Sequence, residues 1–335
     1  MTQSNVRVGV RNLDLSESQL RYLAQLGIED VFVDQTTEPG PDRLAVSTDN
    51  VPSVERLVQT RKRLEEEGLR FTGIQSLSGA VYDDIMFGEE GAEEQTAAIK
   101  QLLRNMGKAD VPILGYQWNP RARNVVFSTS TTKRIRGGAR TREFDLNEIR
   151  DPEESTDPDA PEYDESAFWD RYESFLEEVL PVAEEAGVRM ALHPADPPVV
   201  EKLEGIPRLF RDVDSFERAM NAVPSDNHGL KLCLGCFSEM GEDVVDVVER
   251  FGERGDVVFV HFRDVVGAMP KFHETFVDEG NFDEREVIEA LDAVGFDGAV
   301  LPDHVPQMEG DTDWGHRGRG YTVGYLRGLV RGVQG

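Results

Sequence analysis

The chain has 335 residues, 39% of them hydrophobic, and a formal net charge of −28 from 64 acidic and 36 basic side chains. This fits a soluble globular protein with a large core, and α/β barrels commonly reach such a length as one domain. The charge argues against nucleic acid and anionic membrane surfaces as partners, and no unbroken apolar run reaches the ~20 residues a membrane helix needs.

The N-terminal string MTQSNVRVGV has no basic segment leading into an apolar core, so a cytoplasmic location is expected. From there one pattern recurs: amphipathic helix, glycine, apolar run. It stands at Leu26-Gly27-Ile28, Glu67-Gly68-Leu69, Ala186-Gly187-Val188 and Val294-Gly295-Phe296. Glycine after a helix takes the left-handed cap that ends it, and short apolar runs alternating with helices mean βα units. Eight strands are predicted, at 6–10, 30–34, 69–76, 111–118, 188–193, 230–235, 257–263 and 298–303. The clearest helices are predicted at 54–67, 93–106, 168–186, 243–251 and 283–294. Eight such pairs close a single (β/α)₈ barrel. An open doubly wound sheet is the alternative, but no glycine-rich phosphate-binding string follows the first strand.

Between the fourth strand and its helix lies an insertion, 119–165. It opens basic and threonine-rich (STSTTKRIRGGARTR) and turns acidic (DPEESTDPDAPEYDE). It is too long for an ordinary loop, so a lid or a disordered insert is expected, with arginines able to meet an anionic substrate.

The only cysteines are Cys233 and Cys236, which excludes a disulfide framework. On an extended strand residues three apart point to opposite faces, so the two thiols are not expected to share a metal. Barrel active sites form at the C-terminal strand ends. Strands five to eight place His193, Cys233, His261 and Asp303 there, at intervals of 40, 28 and 42 residues, about one βα unit each. A lone buried histidine or cysteine is usually a core residue. Four ligand types on four successive strand ends instead predict one divalent metal ion. Two imidazoles, a thiolate and a carboxylate suit Mn²⁺, Fe²⁺ or Zn²⁺ rather than Mg²⁺ or Ca²⁺. A rim site with open coordination positions is catalytic in kind.

These residues and their surroundings resemble the mannonate dehydratases of hexuronate breakdown. The strings ALHPADPP (191–198), Gly205-Ile206-Pro207-Arg208, Gly229-Leu230-Lys231-Leu232-Cys233, Val260-His261-Phe262-Arg263-Asp264, Phe272-His273-Glu274 with the later Gly280, Pro302-Asp303-His304 and Gly320-Tyr321 carry the likeness in order. The resemblance implies dehydration of D-mannonate to 2-keto-3-deoxy-D-gluconate with Mn²⁺ or Fe²⁺. It implies that His304 and Tyr321 share the proton transfers, and that Gly320-Tyr321 opens the last helix. Leu301 stands where that family usually has Arg, Val305 where it has Gly, and Ala195 where it has the first of two Asp residues. Those departures bear on the substrate, a related aldonate being the alternative. Asp196 remains, to orient His193 or to cap a turn.

The rival enzyme reading is a xylose-isomerase-like sugar isomerase or epimerase, whose sites are dominated by Glu and Asp. A metal-dependent endonuclease would want a basic groove. From another class, the chain could be a non-catalytic sugar-acid-binding barrel, against which His304 and Tyr321 speak. A homo-oligomer is left open.

Arg far outnumbers Lys, and the negative charge is spread along the helices. A cytosol at molar salt would screen such a charge, so a halophilic protein is expected. Thermal unfolding should therefore become easier as KCl is lowered from molar to dilute, because self-repulsion is then unscreened. Melting curves across that range check this, and a melting temperature indifferent to salt removes the halophile reading.

Overall fold

The computed structural model describes residues 5–119, 127–154, 161–198 and 201–335. Eight parallel strands close a barrel in chain order: Asn5–Asn12, Asp30–Val33, Arg70–Ile74, Ile113–Gln117, Arg189–His193, His228–Cys233, Val257–His261 and Asp297–Leu301. They are called here the first to eighth strands. The eighth pairs with the first, Val6 opposite Gly298 and Val8 opposite Val300. Helices Glu17–Gln25, Val54–Glu66, Ala92–Lys108, Glu165–Ala186, Val213–Ala222, Val244–Gly252, Glu284–Ala293 and His316–Gln334 surround it. The (β/α)₈ expectation holds, each predicted strand overlapping an observed one. Among the described residues no helix is long and apolar enough to cross a membrane.

Local signals set the helix ends. Ser53, Asp164, Asp243 and Asp283 each accept a backbone N–H of the first turn, and Asp212 forms a reciprocal capping box with Ser215. Gly187 ends the long fourth helix at φ 65°, and Gly27, Gly68 and Gly295 have positive φ after theirs.

Two apolar layers form. The larger lies between strands and helices. The smaller fills the barrel itself: Phe32, Ala191, Val258, Phe259, Ala299 and Leu301, with the Phe32 and Phe259 rings 4.4 Å apart. Leu301 is thus part of the barrel filling, in the space left by Gly9, where a Cβ would meet its Cδ2 at 2.7 Å.

Of the 119–165 insertion, residues 120–126 and 155–160 lie outside the described residues. Within the described residues it is a hairpin, Ser130–Arg134 with Arg140–Asp145. A second hairpin, Val265–Ala268 with Lys271–Glu274, follows the seventh strand, and the two join into one four-stranded antiparallel sheet. The strands of that second hairpin are only four residues each, too short for a sequence pattern to show.

One close approach fixes the third and fourth strands beside the barrel mouth. A Cβ on Gly115 would lie 2.0 Å from the Gln75 carbonyl oxygen, a backbone atom that cannot turn aside. Gly115→Ala should therefore cost about 1–3 kcal/mol through overpacking. Denaturant melts of the two proteins test this, and an unchanged midpoint would mean that the strands are not held at that spacing.

Candidate metal centre

Barrel strands turn alternate residues inward. Ala191, Phe259 and Leu301 belong to the barrel filling, so His193, His261 and Asp303, two residues further on, stand above it. Cys233 ends the sixth strand beside His261 in register. One ligand atom from each of His193, Cys233, His261 and Asp303 lies within 4.8 Å of the others, and all four residues are buried.

Hydrogen bonds orient the rings. His193 Nδ1 donates to the Pro194 carbonyl at 2.9 Å, leaving Nε2 toward the cluster. The Gln75 side-chain amide lies 3.0 Å from His261 Nε2. His261 Nδ1 is 3.3 Å from Asp303 Oδ2 yet has no hydrogen-bond partner of proper alignment.

The protonation states suit a cation. Burial, then the Lys231 charge, pushes the His193 imidazole down to about 4, so it is neutral at neutral pH. Burial raises the Cys233 thiol, but the Cys236 hydrogen bond, the Arg263 guanidinium and His193 outweigh it, and the net shift is well downward. Burial likewise raises Asp303, while His261, His304 and Arg11 bring it well below the usual carboxylate range.

A cavity of about 450 Å³ opens above the cluster. His193, His261, Asp303 and His304 line it, as do Arg11, Lys231, Arg319 and, from the insertion, Phe127, Ser128, Thr131 and Arg142. Four Lys or Arg side chains face it against two carboxylates, Asp196 and Asp303. In a chain of net charge −28 this is a local reversal of sign. Lys231, 1% exposed, donates to the Gln75 carbonyl at 3.0 Å. Arg11 donates to Asp303 Oδ1 at 2.8 Å and to Asp34 at 3.1 Å. Arg319 donates to the Asp303 and Pro302 carbonyls at 2.7 and 3.1 Å.

His304 sits on the cavity wall. Its Nδ1 is 2.5 Å from Glu274 Oε1, and its Nε2 is 3.9 Å from Asp303 Oδ2 and 3.5 Å from Arg142. With Nδ1–H given to the carboxylate, the Nε2 lone pair faces the cavity.

Tyr321 is not brought there. The last helix opens at His316 rather than at Gly320, which puts Tyr321 in its second turn. The side chain is 36% exposed, packs edge-on against Phe276, and its hydroxyl meets Arg136 at 3.5 Å and hydrogen-bonds Asp278. It does not line the cavity.

Other sequence readings change in detail. The sixth strand stops at Cys233 and helix Leu234–Met240 begins, so Cys236 is not on an extended strand. It stays outside the four-residue cluster because the helical turn aims it at Arg263, 3.2 Å away. Asp196 pairs with Arg263 at 3.2 Å rather than orienting His193. Leu301, Val305 and Ala195, the three departures from the resembled family, all lie off the cavity lining. The remaining histidines are structural: His228 bonds Tyr116 at 2.7 Å, His316 bonds Gln19 at 2.8 Å, and His273 sits in the antiparallel sheet opposite Glu143. Glu274 and Arg263 stand in the quoted strings without a role, and Gln75 and Arg11 stand in none, since their meaning lies in contacts between distant loops. Lys231 carried a signal: a lysine two residues before a ligand on a buried strand faces the same way.

Comparison with known proteins gives the family. The profile of the D-mannonate dehydratase (UxuA) family matches residues 18–158 and 159–335. A mannonate dehydratase of Streptococcus uberis is 28% identical over 304 residues, 83% of this chain and 86% of that protein. One of Streptococcus pneumoniae is 27% identical over 328 residues, 87% of each. The crystal structure of mannonate dehydratase from Streptococcus suis superposes with a TM-score of 0.84 at 24% identity, over 98% of this chain and 94% of that one. D-psicose 3-epimerase from Clostridium cellulolyticum shares the fold at a TM-score of 0.61 and 13% identity, over 97% of this chain and 99% of that one.

If the cluster holds a metal, Cys233→Ala should lose half or more of it, and Cys236→Ala should keep most. Metal analysis of the purified proteins measures this. Equal content in wild type and Cys233→Ala would remove Cys233 from the ligand set.

Proposed function

The chain belongs to the D-mannonate dehydratase family, and from that premise we propose that it dehydrates D-mannonate to 2-keto-3-deoxy-D-gluconate and water, using one Mn²⁺ or Fe²⁺ ion in the cytoplasm. The observation that carries the reading is the donor set His193, Cys233, His261 and Asp303, gathered within 4.8 Å under a cation-lined cavity. The fit is chemical. Two imidazoles, a lowered thiol and a carboxylate suit a first-row divalent ion, and the unsatisfied His261 Nδ1 supplies a buried nitrogen for it. A divalent ion held there would act as a Lewis acid toward an α-hydroxycarboxylate, stabilising the charge that grows as C2 loses its proton.

The chain's own groups would do the rest. Lys231, Arg142 and Arg319 make the cavity favourable for a carboxylate. His304 presents Nε2 to the cavity, while Glu274 holds Nδ1 and stabilises the imidazolium. It therefore serves one of two proton transfers: removal of the C2 proton, or protonation of the C3 hydroxyl as it leaves as water. The second transfer goes to Tyr321 on resemblance alone, and its hydroxyl must first leave Arg136 and Asp278. We further propose that the 119–165 insertion acts as a lid, since Phe127, Ser128, Thr131 and Arg142 roof the cavity. An isomerase or epimerase of the same fold would favour carboxylate ligands, and the cysteine at 233 speaks against it.

Incubation of the Mn²⁺-loaded protein with D-mannonate in deuterated water should give a 2-keto-3-deoxy acid carrying deuterium at C3, where the enol is protonated after water departs. His304→Asn should keep its metal and lose about 10²–10⁴ in turnover. Tyr321→Phe should likewise keep metal and lose most turnover; a wild-type rate there would return both transfers to His304. A wild-type rate in both variants would sink the mechanism, and no keto-deoxy product from any aldonate would move the isomerase reading ahead.

A further inference from the structure

Arg263 is 3% exposed and follows His261 by two residues. Its guanidinium meets groups from three other βα connections. Nη2 lies 3.2 Å from Asp196 Oδ2, beyond the fifth strand. Nη1 lies 2.6 Å from Glu239 Oε1, on the helix after the sixth strand. Nη2 is also 3.2 Å from Cys236 Sγ on that helix. Nε lies 3.3 Å from Asp303 Oδ2, beyond the eighth strand. With its own position after the seventh, one side chain touches all four connections that present the ligand set.

We propose that Arg263 is the positioning residue of the metal site, holding Asp303 and the Cys233-bearing turn at ligating distance from the two histidines. The proposal rests on the metal reading above. Geometry and charge both support it. Asp196, Glu239 and Asp303 are buried carboxylates around one guanidinium, which hydrogen-bonds Asp196 and Glu239 and stands beside Asp303 as an ion pair without a hydrogen bond. A lysine ammonium would carry the charge but could not span the three directions. The chain leaves room for the fork: a Cβ on Gly235 would stand 2.7 Å from both Arg263 Cγ and Nη1. Asp196, Cys236 and Glu239 also gather within 4.8 Å of one another. Arg263 already supplies a positive charge among them, so the geometry points to a support for the first cluster and away from a second metal site.

The test is metal affinity, read apart from turnover. Metal-free wild type, Arg263→Lys and Gly235→Ala are titrated with Mn²⁺, and free Mn²⁺ is followed by electron paramagnetic resonance. Outer partners of metal ligands typically contribute 10- to 100-fold in affinity. Arg263→Lys should therefore bind Mn²⁺ at least about tenfold more weakly, with turnover largely recovered at saturating Mn²⁺. Gly235→Ala keeps every charge and only displaces the fork, and it should weaken Mn²⁺ in the same direction. It also decides the matter if Arg263→Lys does not fold. Wild-type Mn²⁺ affinity in the folded variants, with only a lowered melting temperature, overturns the proposal and makes Arg263 a structural ion pair. Failure of the wild type itself to bind Mn²⁺ overturns instead the metal reading on which it rests.

Discussion

The site depends on the register of a closed sheet. A barrel strand offers the axis only every second residue, and neighbouring strands are locked by parallel pairing. Once Phe259 and Leu301 fill the interior, His261 and Asp303 can only stand one layer above. Pairing of Cys233 with His261, and of Leu230 with Leu192, ties the sixth and fifth strands to them. A shift of one residue in any of these strands would turn its ligand outward into the helix layer. The apolar filling beneath the cluster thus does two things. It closes the floor against water, and it sets the height at which polar side chains converge.

Charge is arranged against the grain of the whole molecule. The surface is strongly acidic, as the net charge of −28 requires. The cavity instead collects Arg11, Arg142, Lys231 and Arg319. Two of these are already committed to Asp303, Arg11 to its carboxylate and Arg319 to its backbone carbonyl. Buried charges of this kind are stable only when each has partners, because an isolated one would carry a large desolvation cost. The pairs hold the ligand layer rigid, and the cationic balance that remains suits an anionic substrate.

The roof is built separately from the barrel. Two hairpins, one from the insertion and one after the seventh strand, share a sheet that carries both Arg142 and Glu274. His304 lies between them, its Nδ1 on Glu274 and its Nε2 near Arg142. The proposed proton-transfer group therefore leans on the roof while its neighbour Asp303 leans on the floor. Movement of that sheet would change the setting of His304 without touching the ligand cluster.

The sequence by itself determined the barrel, its strand order and the four ligand-type residues, because these rest on local signals. Helix caps, glycine stops and period-two apolar runs are properties of a few adjacent residues, and four strand ends at βα spacing leave little freedom over where they meet. Only the tertiary structure decided what surrounds them. Arg263 acquires its meaning from Asp196, Glu239 and Asp303, which lie up to 67 residues away in the chain. Glu274 meets His304 across 30 residues, through a hairpin too short to read. Tyr321 shows the same limit from the other side. Its motif is legible, but the helix begins at His316, and each residue added at that end rotates the next by about 100°. Where the tyrosine faces depends on that starting point, which Gly315 and the packing of Arg319 settle in three dimensions.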